Sequence, residues 1–148
     1  MSKILTISPK KCNYCKTCEA VCPNSAVNVI TFEEVEISVP IMCMQCEDAA
    51  CMKVCPVGAM ARDENGAVVS DANKCIGCKL CISACPMGNI HYSTTKKRIM
   101  KCNLCDGNAQ CAKYCPTRAI EYLDGTVANV NKKRALASKF KELFEEAN

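Results

Sequence analysis

Sixteen cysteines in 148 residues are the chemistry-bearing feature of this chain, and their spacing is regular. They form four groups of four: Cys12, Cys15, Cys18 and Cys22; Cys43, Cys46, Cys51 and Cys55; Cys75, Cys78, Cys81 and Cys85; Cys102, Cys105, Cys111 and Cys115. Each group closes with three residues, a cysteine and a proline (Pro23, Pro56, Pro86, Pro116). Thiolates are soft ligands that suit zinc or iron–sulfur clusters, so the spacing has to decide between them.

The first and third groups read C-x2-C-x2-C-x3-C-P, the run that holds cubane [4Fe–4S] clusters in bacterial proteins. To offer three thiolates two residues apart to one cube, the chain must curl tightly. The intervening backbone N–H groups then point at the cluster sulfurs, where hydrogen bonds tune the reduction potential. The fourth cysteine faces away and ligates the neighbouring cluster, which cross-links runs in pairs. The second and fourth groups are looser, with four residues (Glu47, Asp48, Ala49, Ala50) and five (Asp106, Gly107, Asn108, Ala109, Gln110) between the second and third cysteines. These small and polar insertions suit a wider loop, and Glu47, Asp48 and Asp106 read as solvated loop charges. Sixteen thiolates supply four [4Fe–4S] clusters with none left over. A disulfide framework needs an oxidising compartment and usually a signal sequence. Structural zinc takes paired CxxC knuckles, two pairs per metal, and triplets followed by xxxCP do not divide that way. A zinc-stabilised interaction module, which would be colourless, stands as the alternative from another functional class.

The bulk composition agrees with a cluster-filled interior. The hydrophobic fraction of 49% includes the cysteines, and the chain has no tryptophan, four tyrosines and three phenylalanines. Clusters must replace part of the usual aliphatic core, which would couple metal binding to folding. The formal charge of +4 counts every cysteine as neutral; sixteen thiolates outweigh four positive cluster cores, so the loaded chain becomes acidic. That argues against a nucleic-acid partner. Met1 to Ile7 shows neither a basic n-region nor an apolar h-region, and no apolar stretch is long enough to span a bilayer. The expected location is cytoplasmic, with no direct membrane insertion. There is no glycine-rich dinucleotide motif and no nucleophile–base constellation, so the chain itself is expected not to be an enzyme.

The elements that must position the cysteines recur with them. The last cysteine of one group and the first of the next lie 21, 20 and 17 positions apart, an internal repeat of cysteine-rich turn, short helical piece, Cys-Pro and short strand. Ala26–Ile30, Ala59–Arg62, Asn89–Tyr92 and Ala119–Tyr122 are the predicted post-proline strands. Val35, Ile37, Val39 and Ile41 alternate with Glu34, Glu36, Ser38 and Pro40, which predicts a half-buried strand. Asn65-Gly66 and Asp124-Gly125 read as hairpin turns. The expected class is α+β, loop-rich, with two pseudo-symmetric βαβ-like modules over residues 1–125. Residues 126–148 are expected to form a C-terminal amphipathic docking helix: from about Asn131, Leu136, Phe140, Leu143, Phe144 and Ala147 share one helical face. Lys132, Lys133 and Arg134 near its start and Glu142, Glu145 and Glu146 near its end oppose the helix macrodipole. Such a helix is expected to depend on docking, on its own core or on a partner.

Other residues carry weaker signals. His91, the one histidine, reads as a surface residue after a strand. Lys96, Lys97 and Arg98 with Lys101 read equally as a solvated loop or as charge that steers an acidic partner or compensates cluster charge. Met42, Met44, Met52, Met60, Met87 and Met100 cluster around the cysteine groups and read as packing against cluster sulfide.

Over residues 1–125, the four cysteine groups resemble the four-cluster ferredoxin-like electron-transfer subunits of complex iron–sulfur oxidoreductases. These accompany tungsten- or molybdenum-pterin enzymes such as aldehyde oxidoreductases and formate dehydrogenases, and also hydrogenases and carbon monoxide dehydrogenase. The resemblance implies that group one pairs with group four and group two with group three, where spacing alone leaves sequential pairing open. Carried over, one cluster takes Cys12, Cys15, Cys18 and Cys115, and another Cys102, Cys105, Cys111 and Cys22. A third takes Cys43, Cys46, Cys51 and Cys85, and the fourth Cys75, Cys78, Cys81 and Cys55. Some members replace one cysteine and hold a three-iron cluster; the sixteen here imply four cubanes. The lack of large insertions and of a C-terminal anchor resembles the soluble branch. The implied function is single-electron relay between a catalytic subunit, best a tungsten- or molybdenum-pterin aldehyde- or formate-oxidising one, and a downstream redox partner. A freely diffusing polyferredoxin is the runner-up; it would need no docking helix. Higher-order assembly into an end-to-end array is open, with no residue arguing for it.

Overall fold

The computed structural model describes residues 3–146, the side chains of Asn129, Phe144 and Glu146 excepted. Eight strands and five helices alternate along it. They are β1 (Lys3–Ile7), α1 (Thr17–Val21), β2 (Val27–Phe32), β3 (Ile37–Met42), α2 (Ala50–Lys53), β4 (Met60–Arg62), β5 (Val68–Ser70), α3 (Leu80–Ala84), β6 (Ile90–Ser93), β7 (Arg98–Lys101), α4 (Gln110–Lys113), β8 (Ile120–Asp124) and α5 (Gly125–Glu146). Helices α1 to α4 are single turns, one per cysteine group. Proline explains where they stop. It pushes the residue before it out of helical space, and Cys22 (φ −74°, ψ 114°) and Cys85 (φ −78°, ψ 112°) are extended at the ends of α1 and α3.

Sheet structure is confined to four antiparallel pairs: β1 with β8, β2 with β3, β4 with β5 and β6 with β7. This corrects the βαβ-like expectation, since the strand after each Cys-Pro pairs with its sequence neighbour, or with the chain's first strand, and not across a helix in parallel. The three hairpins join consecutive cysteine groups. Pairing Lys3 with Asp124 through Ile7 with Ile120, β1 and β8 bring the first and last groups together, and α1 packs on α4 while α2 packs on α3. The β1 strand was not anticipated from sequence.

One further expectation is corrected, and register decides which face of the half-buried β3 is inward. In β3 the polar and proline positions face inward: Ser38, Pro40 and Met42 are buried, whereas Ile37 is 43% exposed. The register is responsible. Met42 lies opposite Val27 and Pro40 opposite Val29, and those valines must face the core beneath the first cysteine group, so the Ile30–Val39 and Phe32–Ile37 pairs take the outer face. Val35 sits in the tight turn Glu33–Val35 and is also exposed. Asp124-Gly125 is a strand-to-helix junction and not a hairpin; the Asp124 carboxylate accepts from the Thr126 amide at 2.9 Å, capping α5, as aspartate does at helix starts. Asn65-Gly66, by contrast, does turn the β4–β5 hairpin, with Gly66 at φ +79°.

The core is thin and sulfur-rich. Its main cluster joins Cys18, Val27, Val29, Met42, Ala109, Cys111 and Ile120, and another joins Met60, Cys81, Ile90 and Ile99. Helix α5 starts six residues before its apolar pattern does. It leans on β1 and β8 through its first turns, where Ala128 is buried. Its stripe residues Leu136, Phe140 and Leu143 are all more than half exposed; the Phe144 side chain and Ala147 lie outside the described residues. Among the described residues no helix is long and apolar enough to cross a membrane.

Candidate metal centres

The four cysteine groups share a backbone conformation as well as a spacing. Two residues after the first cysteine of each group, the chain turns left-handed: Tyr14 (φ 59°), Gln45 (φ 48°), Gly77 (φ 71°) and Leu104 (φ 55°). Three residues after each fourth cysteine it does so again, at Ser25 (φ 49°), Gly58 (φ 61°), Gly88 (φ 64°) and Arg118 (φ 54°). A left-handed residue reverses the direction of the following peptide N–H, and several amides consequently meet sulfur. The amides of Ala26, Ala59 and Asn89 donate to Cys22, Cys55 and Cys85 Sγ at 3.2, 3.2 and 3.4 Å. In the loops, the left-handed residues Gln45 and Leu104 donate their own amides, which the preceding peptide orients, to Cys43 and Cys102 Sγ, both at 3.4 Å. Outside glycine this conformation is uncommon and strained. Its recurrence at matching positions marks these loops as shaped around something that accepts hydrogen bonds through sulfur.

The fold brings cysteines from different groups together. Cys55 shares a recess with Cys75, Cys78 and Cys81, and Val57, Ala59, Met60, Ile76 and Ile99 are among the apolar residues of its wall. Cys85 shares another with Cys43, Cys46 and Cys51. In the other half, Cys18 lies within electrostatic reach of Cys12 and Cys115, and Cys111 within reach of Cys102, Cys105 and Cys22. Cys15, Cys46 and Cys78 are exposed at the loop tips. Among the described residues no three His, Cys, Asp or Glu side chains converge tightly enough for one metal ion; the thiols stand around recesses instead.

The electrostatics divide the cysteines by place in the group. Burial pushes the thiols of Cys18 and Cys111 up to about 11 and about 12, and raises Cys51, Cys81 and Cys102 as well. These are third cysteines of their groups, apart from Cys102. At Cys55 a burial penalty is outweighed by the backbone amides of Met60, Val57, Ala59 and Gly58, and the thiol is lowered. Cys115 is lowered the same way, by the amides of Ile120, Ala119 and Thr117 and by the Thr117 hydroxyl, against its burial. Buried sulfur that disfavours the anion needs a cation to become thiolate. All-sulfur quartets with inward N–H donors around apolar recesses suit [4Fe–4S] clusters. The residues present fit that group.

The remaining sequence signals separate cleanly. Met42, Met60 and Met100 are buried beside the cysteine loops and Met52 packs on the Met60 cluster, whereas Met44 and Met87 are exposed at the rim of the Cys43 recess. His91 is half-buried in β6, opposite Met100. Asp48 pairs with Lys53 on the surface, and Glu47 and Asp106 are exposed. Of the basic run, Lys96, Lys97 and Arg98 are exposed, but Lys101 is buried. Sequence reasoning gave no role to Gln45, whose side chain donates to the Cys102 carbonyl at 3.0 Å and accepts from the Val68 amide at 2.8 Å. Its place inside the CxxC of Cys43 and Cys46 was its one signal.

Comparison with known proteins supplies the family. Residues 34–125 match the 4Fe-4S dicluster domain family and residues 5–28 a 4Fe-4S binding domain. The chain is 35% identical over 89 residues to the iron-sulfur subunit ArrB of the arsenate respiratory reductase of Shewanella sp. (strain ANA-3), covering 51% of this chain and 38% of that protein. It is 37% identical over 94 residues to the electron transport protein HydN of Escherichia coli, covering 53% of each. It is 37% identical over 84 residues to the polyferredoxin-like subunit of aliphatic sulfonate oxidoreductase of Pyrococcus furiosus, covering 50% of this chain and 49% of that one. The matched stretch thus spans between 38% and 53% of those relatives' own lengths. With two 4Fe-4S domains and sixteen cysteines, consistent with four [4Fe–4S] clusters, the chain belongs to the 4Fe-4S dicluster domain family of iron–sulfur proteins.

Proposed function

We propose that the chain is the non-catalytic electron-transfer subunit of an oxidoreductase complex. Its four clusters are held by the quartets Cys12/Cys15/Cys18/Cys115, Cys102/Cys105/Cys111/Cys22, Cys43/Cys46/Cys51/Cys85 and Cys75/Cys78/Cys81/Cys55. The observation that carries this reading is the crossing of cysteines between groups: the fourth cysteine of each group lies near cysteines of another group. On this reading, groups one and four form one ferredoxin-like module and groups two and three its pseudo-symmetric counterpart, supported by the packing of α1 on α4 and of α2 on α3.

Clusters bound there supply reversible one-electron transfer and no bond-making chemistry. The chain's own residues do the rest. Left-handed loop residues aim amides at sulfur, so that charge added on reduction meets fixed dipoles. Val57, Ala59, Met60 and Ile99 keep water from the Cys75 recess, and the exposed tips at Cys15, Cys46 and Cys78 give electrons a short way in and out.

The catalytic partner on this reading is a tungsten- or molybdenum-pterin enzyme that oxidises an aldehyde or formate, with a separate downstream redox partner. The relatives' names, subunits of arsenate respiratory reductase and aliphatic sulfonate oxidoreductase, support membership of such a complex in general. The unpartnered Leu136, Phe140 and Leu143 stripe on α5 supports a docked subunit over a free shuttle. We place the protein in the cytoplasm, where thiols stay reduced for cluster assembly. The test is elemental analysis of the anaerobically purified native complex. About sixteen irons per chain together with tungsten or molybdenum support the reading. Nickel points to another catalytic partner, iron alone to a free shuttle, and zinc with little iron overturns it.

A further inference from the structure

Among the described residues, the buried polar side chains are Ser38 and Lys101, and Lys101 is the charged one, 4% exposed at the end of β7. Its Nζ donates to Val68 O at 2.5 Å, to Cys102 O at 3.1 Å and to Cys43 Sγ at 3.2 Å. Three acceptors match the three N–H bonds of an ammonium; a neutral amine has two. No carboxylate among the described residues pairs with it. A buried cation without an opposite charge is strongly disfavoured, and the one acceptor here able to carry a full negative charge is the Cys43 sulfur. Gln45 keeps the cation in place by clasping the same two residues, Val68 and Cys102. Lys101 therefore has no alternative resting position in solvent, unlike Lys96 and Lys97 on the same hairpin.

We infer that Lys101 is a positioning residue for electron transfer: a fixed positive charge on the Cys43 sulfur that raises the reduction potential of the cluster held by Cys43, Cys46, Cys51 and Cys85. The inference rests on the quartet assignment above. The physical reason is that reduction adds negative charge to the cluster and its thiolates. A permanent cation at hydrogen-bond distance from one ligand sulfur, in an interior of low dielectric, stabilises the reduced form more than the oxidised one. The bond to the Cys102 carbonyl sets the charge where the two halves of the protein meet, because Cys102 belongs to the quartet with Cys22. The device makes a stopping point for electrons at the junction.

The test is an EPR-monitored redox titration of the full, anaerobically loaded chain, comparing wild type with Lys101→Met, Lys101→Gln and Lys101→Arg, and using Cys43→Ser to identify the affected signal. In either neutral variant, the ratio of reduced to oxidised cluster at a fixed potential is expected to fall at least tenfold, equivalent to 59 mV for one electron. That fall should occur in the signal that Cys43→Ser alters, with Lys101→Arg close to wild type. Should both neutral variants lose that one cluster while Lys101→Arg keeps its full iron, the charge pairing is also upheld. An unshifted potential in a fully loaded neutral variant overturns the inference, as does an equal shift in Lys101→Arg or a shift in another cluster's signal. Wild-type chain with fewer than the full iron and no signal responding to Cys43→Ser overturns the quartet assignment itself, and the inference with it.

Discussion

Removal of iron is expected to unfold the cysteine-bearing part of this chain. Nine non-glycine residues hold left-handed backbone in the cysteine loops or the turns after Cys-Pro: Tyr14, Lys16, Ser25, Gln45, Lys79, Leu104, Cys105, Asp106 and Arg118. Each costs about 1–2 kcal/mol relative to right-handed backbone, and together they reach on the order of 10 kcal/mol, comparable to the about 5–15 kcal/mol that separates folded from unfolded states in typical domains. The apolar interior offsets part of this: its largest fully buried side chains are Met42, Ile120, Val68 and Pro40, each contributing about 1.5–3 kcal/mol where it resembles a buried valine or leucine. The metal–thiolate bonds must hold the loops in their strained form. The assay is anaerobic chelation followed by circular dichroism and amide hydrogen exchange. Protection at Val27, Val29 and Ile120 is expected to disappear together with the iron. An iron-free chain that keeps that protection and melts cooperatively would refute the argument.

Three other outcomes are expected. Cys85→Ala should strip the cluster shared with Cys43, Cys46 and Cys51, and Cys55→Ala the one shared with Cys75, Cys78 and Cys81, each visible by EPR and as about four fewer irons or a three-iron signal; if each substitution instead affects its own group, the crossing is wrong. Ile120→Ala, at a side chain 1% exposed between Cys18 and Cys111, should destabilise the loaded protein by about 2–5 kcal/mol in denaturant titration, and a change below about 0.5 kcal/mol would mean that β8 contributes no core. Deleting residues 129–148, beyond the buried Ala128, should leave iron content unchanged and abolish co-purification with the catalytic partner; retained binding would remove α5 as the docking element.

Much of the local chemistry is legible in the amino-acid sequence. The spacing of cysteines in a loop is a local property, and so are the helix stop at Cys-Pro and the strand after it. Ligand type, loop curl and the post-proline strands at Val27, Met60, Ile90 and Ile120 therefore follow from short stretches of chain. The apolar stripe alone would begin α5 near Asn131; its first turns, from Gly125 on, carry no part of that stripe and lean on β1 and β8.

Non-local contact decided the rest. Nothing near Cys22 says that it will lie by Cys111 and not by the second group; that depends on Lys3–Ile7 pairing with Ile120–Asp124 across nearly the whole chain. The outward turn of Ile37 was hidden for a related reason. Alternation reveals that a strand has two faces, while the register against Val27 and Val29 selects which one is buried. Lys101 is the clearest case. As a residue in a basic run it reads equally as a solvated lysine or as charge that steers a partner or compensates a cluster, and three acceptors drawn from Cys43, Val68 and Cys102, far apart in sequence, make it a buried charge. The chain sequence alone determined which atoms could bind iron. Tertiary structure determined which of them meet and what charge stands beside them, because both depend on pairings whose partners are separated by tens of residues.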